Sequence, residues 1–178
     1  VAHMEDGDFY GSEQSYTMIN AGSVRIEYTS VTGSSFPLRG PVPLQAGEMI
    51  DAAVMSASAL ASFIDAQIED AQARGVLFSL HLKATMMKVS DPIMFGIAVS
   101  RFYAPVLEKH PRTLAEIGFD PNNGIGDLHA KLGQLPDSQR AGIEADIAAL
   151  YAQRPGLAMV NSDKGITNLH VPSDVIVD

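Results

Sequence analysis

The sequence predicts an α/β fold, in which helices cover a mostly parallel sheet and a small β-hairpin precedes that sheet. Three patterns indicate it: a stretch near the N-terminus that alternates apolar and polar residues, long segments with helical spacing, and short continuous apolar runs typical of buried parallel strands. A chain of 178 residues can bury about two thirds of the surface that it exposes when unfolded. We expect a β-rich N-terminal part over 1–47 and an α/β part over 48–178.

The N-terminal part is predicted to be a loop followed by a hairpin. Residues 1–20 are polar and rich in turn formers. Residues 23–31 alternate, with Val24, Ile26 and Tyr28 on one face, and predict a half-buried strand. A turn over 32–35 leads to a segment with three prolines, which permit only an edge strand.

The α/β part begins with a long predicted helix. Apolar residues at helical spacing predict this helix over 48–74, and Gly75 is typical of the residue that ends one. The apolar run over 76–82 predicts a buried strand. A second helix is predicted over 92–109, with Asp91 as its N-cap.

Shorter elements are predicted in the remainder of the chain. Turn residues and apolar spacing give the following elements in order: short helices within 113–119 and 122–135, a longer helix over 136–153, and strands over 157–162 and 174–178. Strands therefore recur with helices between them, and no internal repeat is present.

Composition narrows the class of partner. Apolar residues make up 46% of the chain and charged residues 19%, which excludes disorder by composition, and the low charge suggests that some surface is normally covered. The net charge of -9 argues against nucleic acid or an anionic membrane as a partner. Without cysteine there is no disulfide and no thiolate nucleophile, and no apolar run reaches membrane-spanning length, so we expect a cytoplasmic setting.

Polar residues follow three of the predicted strands. Lys83 follows the first, residues 161–165 (NSDKG) the second, and Asp178 closes the third. Ligands bind outside the carboxyl ends of strands in open α/β sheets, so these positions are candidates for a site that binds an anionic, metal-bound substrate. Taken singly, each is more commonly an ordinary exposed strand end. Lys88 is an alternative to Lys83 as the active lysine.

The other motifs in the sequence give weaker indications of function. His129 and His170 lack zinc-site spacing, and His81 is expected to be an interior histidine. Met86 and Met87 are expected to pack in the core. No P-loop, dinucleotide fingerprint or serine-hydrolase elbow is present, so the residues alone assign neither a nucleotide nor a hydrolytic reaction.

Five stretches of the sequence closely resemble the monomeric type of NADP-dependent isocitrate dehydrogenase. They occur in the family's order and span essentially the whole chain: GDFYGSE at 7–13, LQAGEMID at 44–51, QIEDAQARGVLFS at 67–79, SLHLKATMMKVSDPIMFG at 79–96 and LAMVNSDKGITNLHVPSDVIVD at 157–178. A first residue other than Met and an apolar run against the last residue agree with an internal segment of a longer enzyme.

The resemblance implies a reaction and roles for two residues. Members oxidise and decarboxylate isocitrate to 2-oxoglutarate with NADP and with Mg²⁺ or Mn²⁺. Lys83 is similar to the family's catalytic and substrate-contacting lysine, and Asp178 to the first of its three metal-binding aspartates. No NADP-binding residue is assigned to this chain. Ile97 stands where members usually have histidine, and we expect only a packing consequence.

Two hypotheses follow. In the first, the chain is part of the dehydrogenase, its partners are isocitrate and the remainder of the parent chain, and the 178 residues alone are inactive. In the second, it is a truncated relative with a binding or structural role. An isolated segment is expected to self-associate if it exposes surface that the parent covers.

Overall fold

The chain forms two compact units in the computed structural model, which describes residues 1–80, 82 and 87–157. One unit comprises residues 5–55, and the other comprises residues 1–4 with those from 56 onward. The first is termed the β unit and the second the helical unit. The predicted boundary at 47/48 lies eight residues before this division.

The β unit contains two small antiparallel sheets. Its elements are α1 (Phe9–Ser12), β1 (Gln14–Thr17), β2 (Gly22–Thr29), β3 (Ser35–Leu44) and β4 (Met49–Ala52). Strand β1 pairs with β4, and β2 pairs with β3. The loop predicted over 1–20 is therefore wrong in part, because strand β1 and the short helix α1 lie within it.

The β2–β3 hairpin confirms the predicted strand and its alternation, but β2 is exposed at every position except the half-buried Val24, so the predicted half-burial is wrong. Tyr28 lies opposite Phe36 in the register, so their side chains share one face of the sheet. Arg25 and Glu27 share the other face, where Arg25 Nε lies 3.0 Å from Glu27 Oε1. Register shifts between the positions of Val24 and Glu27 add residues on the β3 side, where β3 bulges.

The helical unit consists of helices and turns within its described part. Its elements are α2 (Ala57–Arg74), α3 (Ser90–Phe102), α4 (Ala104–Lys109), α5 (Pro111–Glu116), a 3₁₀ turn (Pro121–Asn123), α6 (Ile125–Leu132) and α7 (Asp137–Tyr151). The short helices and the longer last helix confirm the predicted order of these elements.

Helix α2 begins later than its apolar spacing predicted. Residues 49–52 pair with β1, and the Ser56 side chain accepts a hydrogen bond from the Ala59 N–H, which caps the helix. At the other end, Gly75 has φ of 63°, a conformation that glycine adopts without steric cost. The predicted stop is confirmed, whereas the predicted start at 48 is wrong.

The single helix predicted over 92–109 is two helices. The chain departs from helical geometry at Tyr103, where φ is -98° and ψ is 12°, and α4 has Pro105 in its first turn. Proline has no N–H to donate to the preceding turn, so it starts a helix more readily than it continues one. Val89, not Asp91, occupies the N-cap position of α3.

The apolar core lies in the helical unit. The least exposed core side chains come from α2, α3, α4, α6 and α7, together with residue 103: Ile68, Phe102, Tyr103, Val106, Ile125, Leu128, Leu132 and Ile143. The buried stripe of α2, which includes Leu60, Ile64 and Ile68, has the predicted helical spacing.

The predicted fold class is wrong: there is no mostly parallel sheet covered by helices in the described part of the chain. The two sheets there have two strands each and are antiparallel. Among its described residues, the apolar run after α2 forms one parallel bridge, between Phe78 and Leu157. An apolar run reports burial and does not by itself specify strand pairing. The predicted strand residues 158–162 and 174–178 lie outside the described residues.

None of the helices in the described ranges combines the length and the apolar character needed to cross a membrane.

Gly96 allows α3 to lie close to the 3₁₀ turn. A Cβ at Gly96 would lie 3.0 Å from the backbone Cα of Asn122 and would also overlap the Asn122 side-chain oxygen. Gly142 in α7 has open space around the same position. The two helical glycines therefore differ in the room available for a methyl group.

We predict that Gly96→Ala lowers the free energy of unfolding by about 1–3 kcal/mol, because the added methyl group overpacks the contact with Asn122. The matched variant Gly142→Ala should raise stability by about 0.5–1 kcal/mol, since alanine favours helix where there is space. Urea unfolding followed by circular dichroism measures both. Equal stabilisation by the two substitutions would show that α3 and the 3₁₀ turn are not in tight contact.

Candidate functional site

The two residues that the sequence assigns to the site, Lys83 and Asp178, lie outside the described residues. Their separation and surroundings therefore remain predictions. The described residues show how the segments leading to and from Lys83 are held, and which charged groups lie in the same unit.

The stretch that leads to Lys83 contacts the stretch that follows α7. The Phe78 N–H donates to the Gly156 carbonyl over 2.8 Å, and Phe78 forms a parallel bridge with Leu157. The ring of Phe78 also stacks on Phe102 of α3, with centroids 6.3 Å apart. These contacts join the start of the apolar run before Lys83 to the start of the apolar run before residues 161–165.

Burial changes along the stretch around Lys83. Leu82 is half-buried, whereas Met87 and Lys88 are exposed in the turn before α3. Met87 is 51% exposed, so the prediction that it packs in the core is wrong. Met86 and His81 lie outside the described residues.

A buried acid at the start of α3 was not recognised as such in the sequence. Asp91 is only 4% exposed. Among the described residues it is the charged residue whose side chain is buried. Its N–H donates to the Met87 carbonyl over 3.0 Å, which closes the first turn after the 83–86 segment. The field of the helix N-terminus favours a carboxylate there. The sequence signal was the Asp-Pro pair, which predicts an N-cap and not a buried acid.

Helix α3 is anchored to α2 by an ion pair. Arg101 donates from Nε and Nη2 to the carboxylate of Asp65, with an Nη2–Oδ2 distance of 2.6 Å. This pairing raises the pKa of Arg101 above its usual value. Both side chains are more than a third exposed, so the pair contributes on the order of 1 kcal/mol or less. Its geometry fixes the register of the two helices.

An aromatic cluster supports the C-terminal end of α3. Tyr103 packs on Phe102 and donates or accepts a 2.8 Å hydrogen bond with the Tyr151 hydroxyl. Burial raises the pKa of both tyrosines, so both are neutral at physiological pH. The Arg154 guanidinium lies 5.9 Å from the centre of the Phe102 ring. Ile97, the departure from the family pattern, is half-buried on the same helix.

One cluster of titratable groups joins α4 to α7. Asp146 accepts hydrogen bonds from Lys109 over 2.7 Å and from His110 over 2.6 Å. These bonds, that of Lys109 first, hold the pKa of Asp146 below its usual value. The three groups belong to packed helices, and we interpret them as a link that stabilises the helical unit.

The described residues do not contain a metal site. Within the described ranges, no group of three or more His, Cys, Asp or Glu side chains could hold a metal ion. His129 is exposed on α6, and partial desolvation of its ring lowers its pKa, which favours the neutral form. A metal ion would require ligands beyond those of the described ranges.

Comparison with known proteins identifies the family. The family model described as "Monomeric isocitrate dehydrogenase" matches residues 1–178. The chain belongs to the monomeric isocitrate dehydrogenase family. This result confirms the resemblance drawn from the five sequence stretches.

The curated relatives are longer proteins. "Isocitrate dehydrogenase [NADP]" of Azotobacter vinelandii is 64% identical over 178 residues, which cover 100% of this chain and 24% of the relative. "Isocitrate dehydrogenase [NADP] 2" of Colwellia maris is 57% identical, and the protein of the same name from Mycobacterium tuberculosis 49%, each with the same coverage. The chain thus spans about a quarter of the length of these relatives.

We predict that Asp146→Asn destabilises the protein near neutral pH and that the difference from wild type shrinks as pH falls below about 4. The folded-state pKa of Asp146 is depressed, so its contribution is complete above the unfolded-state pKa and is lost as pH falls through the folded-state value. Thermal unfolding between pH 6 and pH 3 measures the difference.

Glu144→Gln is the control for Asp146→Asn. Glu144 lies on the same helix, is half exposed, and has its nearest arginine nitrogen, Nε of Arg140, at 4.0 Å. Its substitution should change the melting temperature little at any pH. A difference for Asp146→Asn that persists undiminished at pH 3 would show that the ionised carboxylate is not what stabilises the helices.

Proposed function

We propose that this chain is the part of an NADP-dependent isocitrate dehydrogenase that supplies one catalytic lysine, Lys83, and one metal-binding carboxylate, Asp178. The observation that carries the proposal is the family match over residues 1–178, together with relatives whose names state isocitrate dehydrogenase and NADP. The reaction is the oxidation of isocitrate with transfer of hydride to NADP⁺, followed by loss of CO₂ to give 2-oxoglutarate.

Lys83 acts on the proton of the substrate hydroxyl. Oxidation of the alcohol carbon sends a hydride to NADP⁺ and requires the hydroxyl oxygen to lose its proton, and a lysine amine partly removed from water can exchange protons near neutral pH. The neighbouring residues support this role, because Leu82 before the lysine is half-buried and Lys88 after it is exposed.

We propose that helix α3 supports the segment that carries Lys83. This helix begins at Ser90, seven residues after Lys83, and the described contacts hold it through Arg101 to α2 and through Phe102 to Phe78. A reacting amine misplaced by about 1 Å loses a large part of its rate advantage, so a rigid support of this kind is what catalysis requires.

Asp178 provides one oxygen-donor side chain for Mg²⁺ or Mn²⁺, which both prefer carboxylate ligands. A single aspartate cannot hold such an ion, so the remaining ligands are proposed to come from isocitrate, water and the rest of the parent chain. The ion, when bound, would stabilise negative charge on the substrate oxygens.

The cofactor, the partners and the cellular compartment follow from the same proposal. The residues that bind NADP are assigned to parts of the parent enzyme outside these 178 residues. The substrate partner is isocitrate, the protein partner is the remainder of the parent chain, and the compartment is the cytoplasm.

We predict that Lys83→Met in the family-length enzyme lowers kcat at least a hundredfold and leaves the melting temperature within about 2 °C of wild type, because lysine side chains rarely contribute to core packing. Lys88→Met is the matched control: it removes an exposed lysine five residues later and should retain wild-type kcat. NADPH formation followed by absorbance measures both. Wild-type turnover in Lys83→Met, or loss of turnover in Lys88→Met instead, would remove Lys83 from the mechanism.

For the metal, Asp178→Asn in the family-length enzyme should weaken Mn²⁺ binding at least tenfold, because an anionic ligand becomes a neutral amide. Asp137→Asn, at an exposed position at the start of α7, should bind Mn²⁺ as wild type does. Calorimetric titration with Mn²⁺ is the measurement. The 178 residues alone should neither bind Mn²⁺ tightly nor form NADPH. Unchanged Mn²⁺ affinity in Asp178→Asn would contradict the assignment.

A further inference from the structure

The β2–β3 hairpin has an apolar face that the hairpin itself cannot cover. Three large apolar side chains on this face are more than half exposed: Ile26 at 53%, Tyr28 at 53% and Phe36 at 54%. These three residues are termed the ribbon face. Ile26 and Tyr28 alternate along β2 and Phe36 lies opposite Tyr28, so the three lie on the same side, where Arg39, opposite Ile26, is the charged neighbour.

The opposite face of the hairpin is polar. Arg25 and Glu27 form an exposed ion pair there, and the Thr29 and Ser35 hydroxyls are hydrogen-bonded over 3.0 Å. A sheet with one polar and one apolar face normally places the apolar face against other protein. The asymmetry therefore identifies the side on which a partner binds.

The outer edge of β3 is poorly suited to pairing with another strand. This strand contains Pro37, Pro41 and Pro43, which have no N–H to donate to a neighbouring strand. Contact through the ribbon face is consequently favoured over extension of the sheet at β3.

The size of the ribbon face distinguishes between possible occupants. Large apolar side chains that are about half exposed leave on the order of 100 Å² each, or roughly 300 Å² for the three. A stable complex between separate proteins buries about 800 Å² on each partner. The ribbon face alone is too small for that, but it suffices for a contact within one chain, where tethering supplies a high effective concentration.

We propose that the ribbon face docks on an apolar surface formed by the portion of the family-length chain outside residues 1–178, within the same molecule. The matched relatives are about four times longer than this chain, since it covers 24% of them, so a chain of family length offers a large intramolecular partner. Two copies of this chain would each carry a net charge of -9 and repel one another. The inference rests on family membership and does not require the roles proposed for Lys83 and Asp178.

Photo-crosslinking in the family-length enzyme tests the docking without requiring that the 178 residues fold alone. A benzophenone amino acid replaces Phe36 in one variant and Tyr28 in a second, which conserves an aromatic ring at both positions. A third variant carries the same group at Glu27 on the polar face. After irradiation, denaturing gels separate intramolecular from intermolecular products, and mass spectrometry locates the crosslinked peptides.

The expected result is that both ribbon-face variants crosslink to peptides outside residues 1–178 in the monomer band, in a yield independent of protein concentration and at least fivefold above that of the Glu27 variant. Three outcomes would overturn the proposal: products between two copies, products confined to residues 1–178, or a yield no higher than that of the Glu27 variant. Activity is measured in parallel, and its loss in Lys83→Met with unchanged crosslinking separates the two proposals.

Discussion

The packing of α3 against its neighbours is the constraint on which the structure of the helical unit depends. On one side the helix is tied to α2 through Arg101 and Asp65, and on another Gly96 admits the backbone of Asn122. At its end Phe102 is almost fully buried and contacts both Phe78 and Tyr103. The ion pair contributes little stability, so burial of the aromatic residues and the close backbone approach provide most of the fixation.

This arrangement bears on the proposed chemistry. The described chain on either side of Lys83 is held within the helical unit: Phe78 stacks on Phe102 before it, and the Met87 carbonyl accepts a hydrogen bond from the Asp91 N–H after it. Asp91 is itself buried in the first turn of α3. A catalytic group gains from a support that is rigid before the substrate arrives, which is the role that we propose for these contacts.

The β unit presents the opposite situation, because its hairpin forms local structure without a core of its own. Two-stranded sheets are marginally stable in water, and the exposed Ile26, Tyr28 and Phe36 leave apolar surface uncovered. The low proportion of charged residues in the sequence, 19%, is consistent with this uncovered apolar surface. Both observations agree with a chain that covers about a quarter of its relatives' length.

The sequence by itself determined the local elements and the family. Alternation predicted β2, apolar spacing predicted the stripe of α2, and Gly75 predicted its end, because these features depend on neighbours within a few residues. Only the tertiary structure decided that 49–52 is a strand, that the helix after Asp91 breaks at Tyr103, that Asp91 is buried, and that Met87 is exposed. It also contradicted the parallel sheet, since strand pairing and burial are set by residues far away in the sequence, which a local pattern does not contain. Lys83 and Asp178 were found through resemblance, because a lysine or an aspartate at a strand end is chemically ordinary until its distant partners are known.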